Sequence, residues 1–320
     1  MLVRIVRYYQ YPDIARQTPG GRLIWKDIQF TEDDVDSCDY LVILDHPSKP
    51  VKTWVPPSNI IHICQEPPSE LSKYRQYGSS KSAVLVNQFP TGRNNILSHG
   101  ALPWFVDKCY DELKAISIDT LAKFDKICWI TSAKTGSKGH RMRMDFFDRI
   151  KNNPNVELFG RGIRPLEDKW TALIGCKYAI AFENYRNPYY WTEKISDCFL
   201  SFTIPIYFGC TQIGKYFPKG SYIQLDPTEP NADRTLNEIL QSNFWEENVD
   251  ALIEARNLVL DRYQLFPFLY NLIQDQEKAR TVTERPEQVE LEMAPQYFDN
   301  TPWWVYLEKS VRKFQRRLRT

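Results

Sequence analysis

The chain has 320 residues, of which 42% are apolar and 25% charged, and its formal net charge is +1. This length favours two globular domains of about 100–200 residues each. The near-neutral charge argues against nucleic acid as a partner. The seven cysteines are scattered and form no Cys-x-x-Cys pair, which is typical of reduced thiols in a cytoplasmic protein.

The amino terminus enters a strand pattern at once. Residues 1–7 contain no charged-then-apolar signal segment of useful length. A membrane-spanning helix needs about 18 or more consecutive apolar residues, and the sequence has no such run. We therefore expect a cytoplasmic protein that does not span a membrane.

Short apolar runs alternate with polar connections in the first third of the chain. The pattern predicts a polar helical turn over residues 30–37 and strands over residues 2–8, 40–44, 59–64 and 81–86. Runs of β-branched residues separated in this way favour a mostly parallel, covered sheet. We predict a first domain over residues 1–115, with the polar segment 107–125 crossing to a second.

A second alternating series predicts an α/β domain over residues 126–280. Its strands are predicted at residues 126–131, 156–159, 178–182 and 204–208, and its helices at residues 141–152, 170–176 and 193–202. Repeated strand–helix–strand units favour a doubly wound sheet, in which ligands bind beyond the carboxyl ends of the strands. From about Asn243 the pattern is largely helical.

The last part of the chain, residues 281–320, is predicted to be a helical basic tail. Residues 301–320 hold two tryptophans followed by a run of lysines and arginines. Two interpretations stay open for this segment. It either makes peripheral contact with an anionic membrane surface, on the inner face in a bacterial cell, or packs as a solvated helix on the body of the protein.

Polar residues follow the predicted strand 178–182, and their side-chain chemistry suits a nucleotide sugar. Lys194 lies at the start of the next helix, where a positive charge and free backbone N–H groups suit a diphosphate. Glu193 is able to accept hydrogen bonds from two ribose hydroxyls. Asn184, at the strand end, offers both a donor and an acceptor. The alternative for Glu193 and Lys194 is an ordinary surface pair.

Residues 178–209 resemble the signature of the family 10 α-1,3-fucosyltransferases. The shared pattern is a strand that ends in Phe182-Glu183-Asn184, then Tyr190-x-Thr192-Glu193-Lys194, then a strand with Pro205 that closes at Gly209. The resemblance implies the GT-B fold, in which two doubly wound, Rossmann-like domains face a cleft. It further implies inverting transfer of fucose from GDP-fucose to a glycan hydroxyl, without metal or cofactor. By the same resemblance Glu193 contacts the ribose, Lys194 and Tyr190 the diphosphate, and Asn184 the donor.

Arg143 is a further candidate for donor binding. The pattern Met142-Arg143-x-x-Phe146-Phe147 is similar to the family's, in which an arginine at this position contacts donor phosphate. A planar guanidinium holds two phosphate oxygens at once, which a lysine does not. A solvated helix arginine is the alternative.

Glu66 is the candidate general base. An inverting transfer is a single displacement in which a carboxylate removes the proton of the acceptor hydroxyl. Glu66 lies at the carboxyl end of the apolar strand 59–64, in Cys64-Gln65-Glu66, and it is similar in position to the family's catalytic glutamate. The alternative is a loop carboxylate that caps the turn ahead of Ser69. This assignment makes residues 1–115 the acceptor-binding domain.

No metal site is predicted. Asp34-Val35-Asp36 fits an Asp-x-Asp pattern, but it lies in an acidic turn and is interpreted as a solvated face. The four histidines lack any ligand spacing to one another. Arg143 and Lys194 are expected to neutralise the diphosphate instead.

Three bulky residues depart from the family pattern beside the expected sugar-binding loop. They are Tyr185, Tyr189 and Trp191. Two alternatives to fucose transfer therefore stay open: a GT-B transferase that uses another nucleotide sugar in surface polysaccharide assembly, and a nucleotide-sugar-binding protein without turnover. The expected acceptor is an oligosaccharide or a lipid-linked glycan.

Overall fold

The computed structural model describes residues 1–67, 81–90, 94–282 and 284–294. The chain folds as two compact units. Unit 1 comprises Met1–Gln10, Gln29–Gly100 and the chain from Thr281 on, and unit 2 comprises Tyr11–Ile28 and Ala101–Arg280. The predicted α/β class is confirmed, with a parallel sheet in each unit.

The strands of the described residues are, in chain order, β1 (Leu2–Arg7), β2 (Ile24–Trp25), β3 (Ile28–Thr31), β4 (Tyr40–Leu44), β5 (Val51–Val55), β6 (Ile60–Ile63), β7 (Val84–Asn87), β8 (Asn95–Leu97), β9 (Phe124–Ile130), β10 (Val156–Phe159), β11 (Cys176–Phe182), β12 (Ile204–Phe208), β13 (Ile223–Gln224) and β14 (Glu287–Leu291).

The α-helices of the same residues are α1 (Tyr110–Ala115), α2 (Lys138–Ile150), α3 (Lys169–Leu173), α4 (Glu193–Leu200), α5 (Ala232–Leu240), α6 (Phe244–Glu247), α7 (Val249–Leu258) and α8 (Leu265–Ala279). A π-helical turn, Val259–Tyr263, joins α7 to α8. The helical region predicted from about Asn243 is therefore confirmed up to Ala279.

The sheet of unit 1 has the strand order β3-β1-β4-β6-β7-β8, and each neighbouring pair is parallel. Every residue of β4, in the middle of this sheet, is buried. Burial on both faces explains why this strand reads as a continuous apolar run rather than an alternating one. Because the strands are parallel, the residues that follow β1, β4 and β6 lie at one edge of the sheet.

Two segments predicted for the first domain belong to unit 2 instead. Residues 11–28 and 101–115 lie in unit 2. The guanidinium of Arg16 contacts the Asp107 carboxylate at 2.8 Å, and the Gln264 side chain donates to the Gln17 carbonyl at 3.2 Å. Such contacts join residues far apart in sequence, so the local pattern carries no sign of them.

The chain returns to unit 1 after α8. Residues 287–291 form β14, antiparallel to β5, rather than part of the predicted helical tail. The physical reason is a period of two: Val289 and Leu291 are buried in an apolar cluster with Val51 and Val55, while their neighbours are exposed. The basic segment 301–320 lies outside the described residues.

The predicted helical turn over residues 30–37 is wrong. Phe30 and Thr31 end β3, and no helix is assigned between them and Ser37. Ile28 and Phe30 are fully buried while Gln29 is exposed, which is the alternation of a strand. The acidic residues that suggested a helix follow this strand as a turn.

The sheet of unit 2 has the order β10-β9-β11-β12-β13, again parallel throughout. From β9 the chain passes through α2 to the edge strand β10, and it returns through α3 to β11 on the other side of β9. The strand order therefore reverses between β9 and β11. In open α/β sheets a crevice forms at such a reversal, beyond the carboxyl ends of the two strands.

Aromatic residues fill the core beneath this crevice. The ring of Phe146, on α2, lies 5.3 Å from Phe182 and 5.9 Å from Trp129 between ring centroids. All three side chains are at most 1% exposed. The packing fixes α2 against the ends of β9 and β11, which positions the residues described below.

No helix within the described ranges is long and apolar enough to cross a bilayer. All seven cysteines lie within these ranges, and none of them forms a disulfide.

Candidate functional site

The crevice of unit 2 lies between the residues that follow β9 and those that follow β11. Gly139, in the first turn of α2, packs directly on the backbone of Asn184: a Cβ atom at Gly139 would lie 1.9 Å from the Asn184 carbonyl oxygen. Glycine is required for so close an approach. The start of α2 and the end of β11 therefore meet at one point.

Arg143 lies on the sheet-facing side of α2. Together with Phe146 and Ile150 it forms the buried face of the helix, and it is 6% exposed. Its Nε has no hydrogen-bond partner in the described part of the chain. Burial lowers the pKa of Arg143, while Glu183, Tyr190 and Glu193 act to raise it. The guanidinium is thus a buried cation without a protein ligand at Nε, held near the predicted donor-binding residues.

Glu183 is the residue that links β11 to α4. Its side chain is fully buried, and it accepts hydrogen bonds from the backbone N–H and the hydroxyl of Thr192, both at 2.8 Å. Its Oε2 lies 3.0 Å from Nζ of Lys194. Burial raises the pKa of the carboxyl, and Lys194 acts against that change. Glu183 is not among the predicted site residues, although a carboxylate at the end of an apolar strand indicates a buried pairing.

The predicted start of α4 is confirmed. Thr192 is the N-cap, and its hydroxyl accepts from the backbone N–H of Lys194. The Lys194 ammonium contacts the Thr192 hydroxyl at 2.9 Å and the Glu193 carboxylate at 3.6 Å, besides Glu183. Its charge is therefore shared between two carboxylates of unit 2.

Glu193 is a partly buried carboxylate held between two lysines. Its Oε1 lies 3.6 Å from Lys194 and 3.7 Å from Lys169. Burial acts to raise the pKa of Glu193, but the two lysines outweigh it and lower the pKa to about 2. The carboxylate is ionised at neutral pH and suited to accept hydrogen bonds.

Lys169 is a further charged residue of the site that is not among the predicted ones. Its ammonium lies 2.7 Å from the buried Asp197 carboxylate, which also accepts from the Phe105 backbone N–H at 2.8 Å. Burial acts to lower the pKa of Lys169, but Asp197 and Glu193 raise it above its usual range. This lysine connects α3 to α4 and fixes the position of Glu193.

Asn184 and Tyr190 contact each other across the loop that follows β11. The Tyr190 hydroxyl donates to Oδ1 of Asn184 at 3.2 Å, and its ring is 4% exposed. The side chain of Asn187 accepts from the backbone N–H groups of Tyr189 and Tyr190 at 2.8 and 2.6 Å. The loop is therefore held by hydrogen bonds between its own residues. Five of the six predicted site residues lie in unit 2 around the crevice: Arg143, Asn184, Tyr190, Glu193 and Lys194.

Trp191 does not border the sugar-binding loop as expected. Its side chain is 4% exposed and packs edge-on against Phe217, Tyr216 and Tyr263, with centroid distances of 5.3, 5.6 and 6.0 Å. It belongs to the apolar core of unit 2. Tyr185 and Tyr189 are partly exposed and remain beside the loop.

The sixth predicted residue, Glu66, lies in unit 1, just after β6. Its side chain is exposed, and its Oε1 accepts from the Tyr8 hydroxyl at 3.2 Å. The Asp45 carboxylate accepts from the backbone N–H groups of Gln65 and Glu66 at 2.9 and 3.3 Å, which fixes the turn. Tyr8 itself stacks on His46 at 4.5 Å. Glu66 is thus an oriented carboxylate at the carboxyl edge of its sheet.

The acidic turn of unit 1 forms ion pairs with basic side chains of the same unit. The Asp34 carboxylate pairs with Arg4, which is 2% exposed, and with Lys49 at 2.6 Å. Within residues 1–67, 81–90, 94–282 and 284–294, no group of three or more His, Cys, Asp or Glu side chains is placed to hold a metal ion.

The sequence comparison gives a family match in unit 2. Residues 120–242 match the C-terminal domain of glycosyltransferase family 10 (fucosyltransferase). The matched segment contains all five predicted donor-binding residues. No curated protein matches the chain significantly.

Solved structures give a distant likeness over most of the chain. A crystal structure of an α-1,3-fucosyltransferase with GDP-fucose is 14% identical, covers 89% of this chain and 92% of its own, and has a TM-score of 0.49. Another crystal structure of an α-1,3-fucosyltransferase gives 13% identity, 89% and 91% coverage and a TM-score of 0.47. A glycosyltransferase from Rickettsia africae gives 11% identity, 88% and 99% coverage and a TM-score of 0.47. At these values the likeness carries no weight for function.

Proposed function

We propose that the chain is a glycosyltransferase of family 10, whose C-terminal domain its residues 120–242 match, and that it moves fucose from GDP-fucose to a hydroxyl of a glycan acceptor with inversion and without a metal ion. The observation that carries this proposal is the cationic crevice of unit 2. It joins Arg143, which is buried and whose Nε has no hydrogen-bond partner among the described residues, to the starts of two helices and to Lys194.

The crevice suits the departing diphosphate. As the bond to the sugar breaks, negative charge grows on the leaving phosphate oxygen. Preorganised positive groups that face this charge lower the barrier, and they act most strongly where water is excluded. The Arg143 guanidinium is already desolvated, so it is able to neutralise phosphate oxygens without first releasing a carboxylate. These cations supply the charge that a divalent ion provides in other nucleotide-sugar enzymes.

The remaining donor contacts follow from the same geometry. Glu193, ionised between Lys194 and Lys169, is proposed to accept from the ribose hydroxyls. Asn184 and Tyr190 are proposed to contact the donor from the loop after β11. Lys194 is proposed to contact the diphosphate, and its pairing with Glu183 holds the ammonium at the start of α4.

Glu66 is proposed to remove the proton of the acceptor hydroxyl. The Tyr8 hydroxyl and the Asp45-fixed turn support this role, because they orient the carboxylate while leaving it exposed. The proton passes from the acceptor oxygen to Glu66 as that oxygen bonds to the anomeric carbon and GDP leaves.

A different nucleotide sugar is the second candidate donor. Tyr185 and Tyr189 are partly exposed beside the loop after β11, where they would border the sugar rather than the nucleotide. Exchange of the sugar would leave Arg143, Glu193 and Lys194 with the same tasks.

The test is a titration with GDP, UDP, CDP and ADP, followed by turnover assays with the sugar donors of the nucleotide that binds. We expect selective GDP binding, and release of GDP from GDP-fucose when a glycan acceptor is present, unchanged by a chelator. The anomeric configuration of the product, read by NMR, decides between inversion and retention. Tight GDP binding without turnover of any donor would instead favour a binding protein, and selective UDP binding would exclude GDP-fucose as the donor.

A further inference from the structure

Three buried polar atoms without hydrogen-bond partners in the described part of the chain lie at the carboxyl end of β9 and the start of α2. They are Oγ1 of Thr131, Nδ1 of His140 and Nε of Arg143. Thr131 and Arg143 are 7% and 6% exposed. Native proteins leave few buried polar atoms unsatisfied, so such a group indicates a site that a ligand completes.

The three residues belong to the end of one strand and to the first two turns of the next helix, α2. Thr131 follows β9 directly, and His140 and Arg143 are three residues apart, which places them on one face of α2. That face continues into the core through Phe146 and Ile150, so its first turns point to the end of the sheet. The helix has 13 residues, and its first N–H groups add positive potential at the same place.

His140 stands among positive charges. Its pKa is lowered first by burial and then by Arg143 on the same helix, Lys134 in the preceding loop and Lys194 on α4. No carboxylate acts on it to a comparable extent. Burial and these cations therefore disfavour the protonated ring in the free protein. A bound anion would offset these cations and favour the protonated ring.

We propose that the donor's diphosphate lies against Thr131, His140 and Arg143 at the start of α2, and that His140 takes up one proton from solvent when the diphosphate binds. The inference rests on the proposed function and adds two contact residues to it. The hydroxyl, the imidazolium N–H and the guanidinium N–H each donate to a phosphate oxygen. No bond of the donor breaks in this step.

The test is calorimetric titration of GDP at pH 6, 7 and 8, each in two buffers of different ionisation enthalpy, which counts the protons taken up. The comparison is between the unmodified protein and His140→Gln, because the β-phosphate of GDP itself titrates near neutral pH and cancels in the difference. We expect proton uptake near pH 7 to fall in the variant by up to one proton, and GDP affinity at pH 6 to fall about tenfold.

Two further variants sharpen the result. Arg141→Gln changes an exposed cation of the same turn and should keep the proton uptake. Thr131→Val should weaken GDP binding at all three pH values while uptake persists. A protein that binds GDP with the same proton uptake before and after His140→Gln overturns this inference alone. A folded protein that binds neither GDP nor another nucleoside diphosphate overturns the proposed function as well.

Discussion

The carboxylate of Glu183 and the ammonium of Lys194 form an ion pair, 3.0 Å apart, in which the carboxylate is fully buried. The pair connects Glu183, the first residue after β11, to the first turn of α4. Breaking one partner of such a pair leaves an uncompensated charge in a dry environment, which destabilises the fold strongly.

Glu183→Gln should therefore lower the free energy of unfolding by about 3 kcal/mol. The matched control is Glu157→Gln, which breaks the partly exposed pairs of Glu157 with Lys126 and Arg164 and should cost much less stability. Chemical denaturation of both variants checks the prediction. Equal losses in the two would mean that the Glu183 pair contributes no more than a surface pair.

Arg143→Met should weaken GDP binding about tenfold or more without lowering the free energy of unfolding, because the substitution removes a desolvated charge and keeps the apolar stem. The control on the same helix is Arg149→Met. Arg149 pairs with Asp233 and donates to the carbonyls of Pro227 and Pro230, so its loss should lower stability and leave GDP affinity unchanged. The measurements are denaturation and GDP titration, and a marked loss of stability in Arg143→Met would contradict a ligand-binding role.

Gly139→Ala should lower both stability and GDP affinity. The added Cβ would collide with the Asn184 backbone, so the first turn of α2 must shift; overpacking of this kind costs about 1–3 kcal/mol. Gly136→Ala is the matched control, since a Cβ there meets nothing within 4 Å. Near-equal GDP affinities of the two variants would show that the approach of α2 to β11 is not needed for binding.

Glu66→Gln should reduce the turnover rate by about 10²–10⁴ while GDP affinity stays unchanged, because the amide cannot accept the proton. Tyr8→Phe, which removes the hydroxyl that orients the carboxylate, should reduce turnover only modestly. Rates with saturating donor and GDP titrations separate the two effects. Glu66→Gln with near-normal turnover would place the general base elsewhere.

His62 should make the fold sensitive to mild acid. Burial lowers its pKa from 6.5 to about 4. The hydrogen bond between Nε2 and the Asp45 carbonyl, at 2.8 Å, acts in the opposite direction. Between these two values the unfolded chain binds a proton that the folded protein does not, so stability falls as the pH drops from about 6.5 towards 4. From pH 7.5 to pH 5 this contribution is about 2 kcal/mol.

The check is the free energy of unfolding at pH 7.5 and pH 5 for the unmodified protein and for His62→Gln. The variant should lose less stability between the two, because the glutamine has no proton to gain. A pH dependence that is the same in both proteins would show that His62 is not its source.

Local pattern predicted the parallel strands of both units well. The bounds of β10 and β12 are those expected from their apolar runs, and the start of α4 follows from the Thr192 cap. The predictions for residues 30–37 and 287–291 are wrong because both segments are rich in charged residues, which favoured a helix. Their strand-like alternation of buried and exposed side chains depends on the burial of Phe30 and Val289, which only the structure shows.

Only those site residues whose own side chain suggests a role could be predicted from the sequence. For Arg143 and Glu193, the sequence itself shows a charged residue near the start of a predicted helix. The pairing of Glu183 with Lys194, or of Lys169 with Asp197, joins residues from different elements, and the same holds for His140 beside Lys194. The fold creates these contacts, so they cannot be predicted from the sequence around each residue.

The pairing of β14 with β5 has a consequence for how the protein forms during synthesis. The ribosome releases the residues of the first sheet early, but the strand that covers Val51 and Val55 emerges only after α8 is complete. All segments of unit 2 are therefore synthesised before the last segment of unit 1. Until that segment emerges, the apolar side chains of β5 stay uncovered in the nascent chain. A fragment ending near residue 115 would carry that strand uncovered and be prone to self-association.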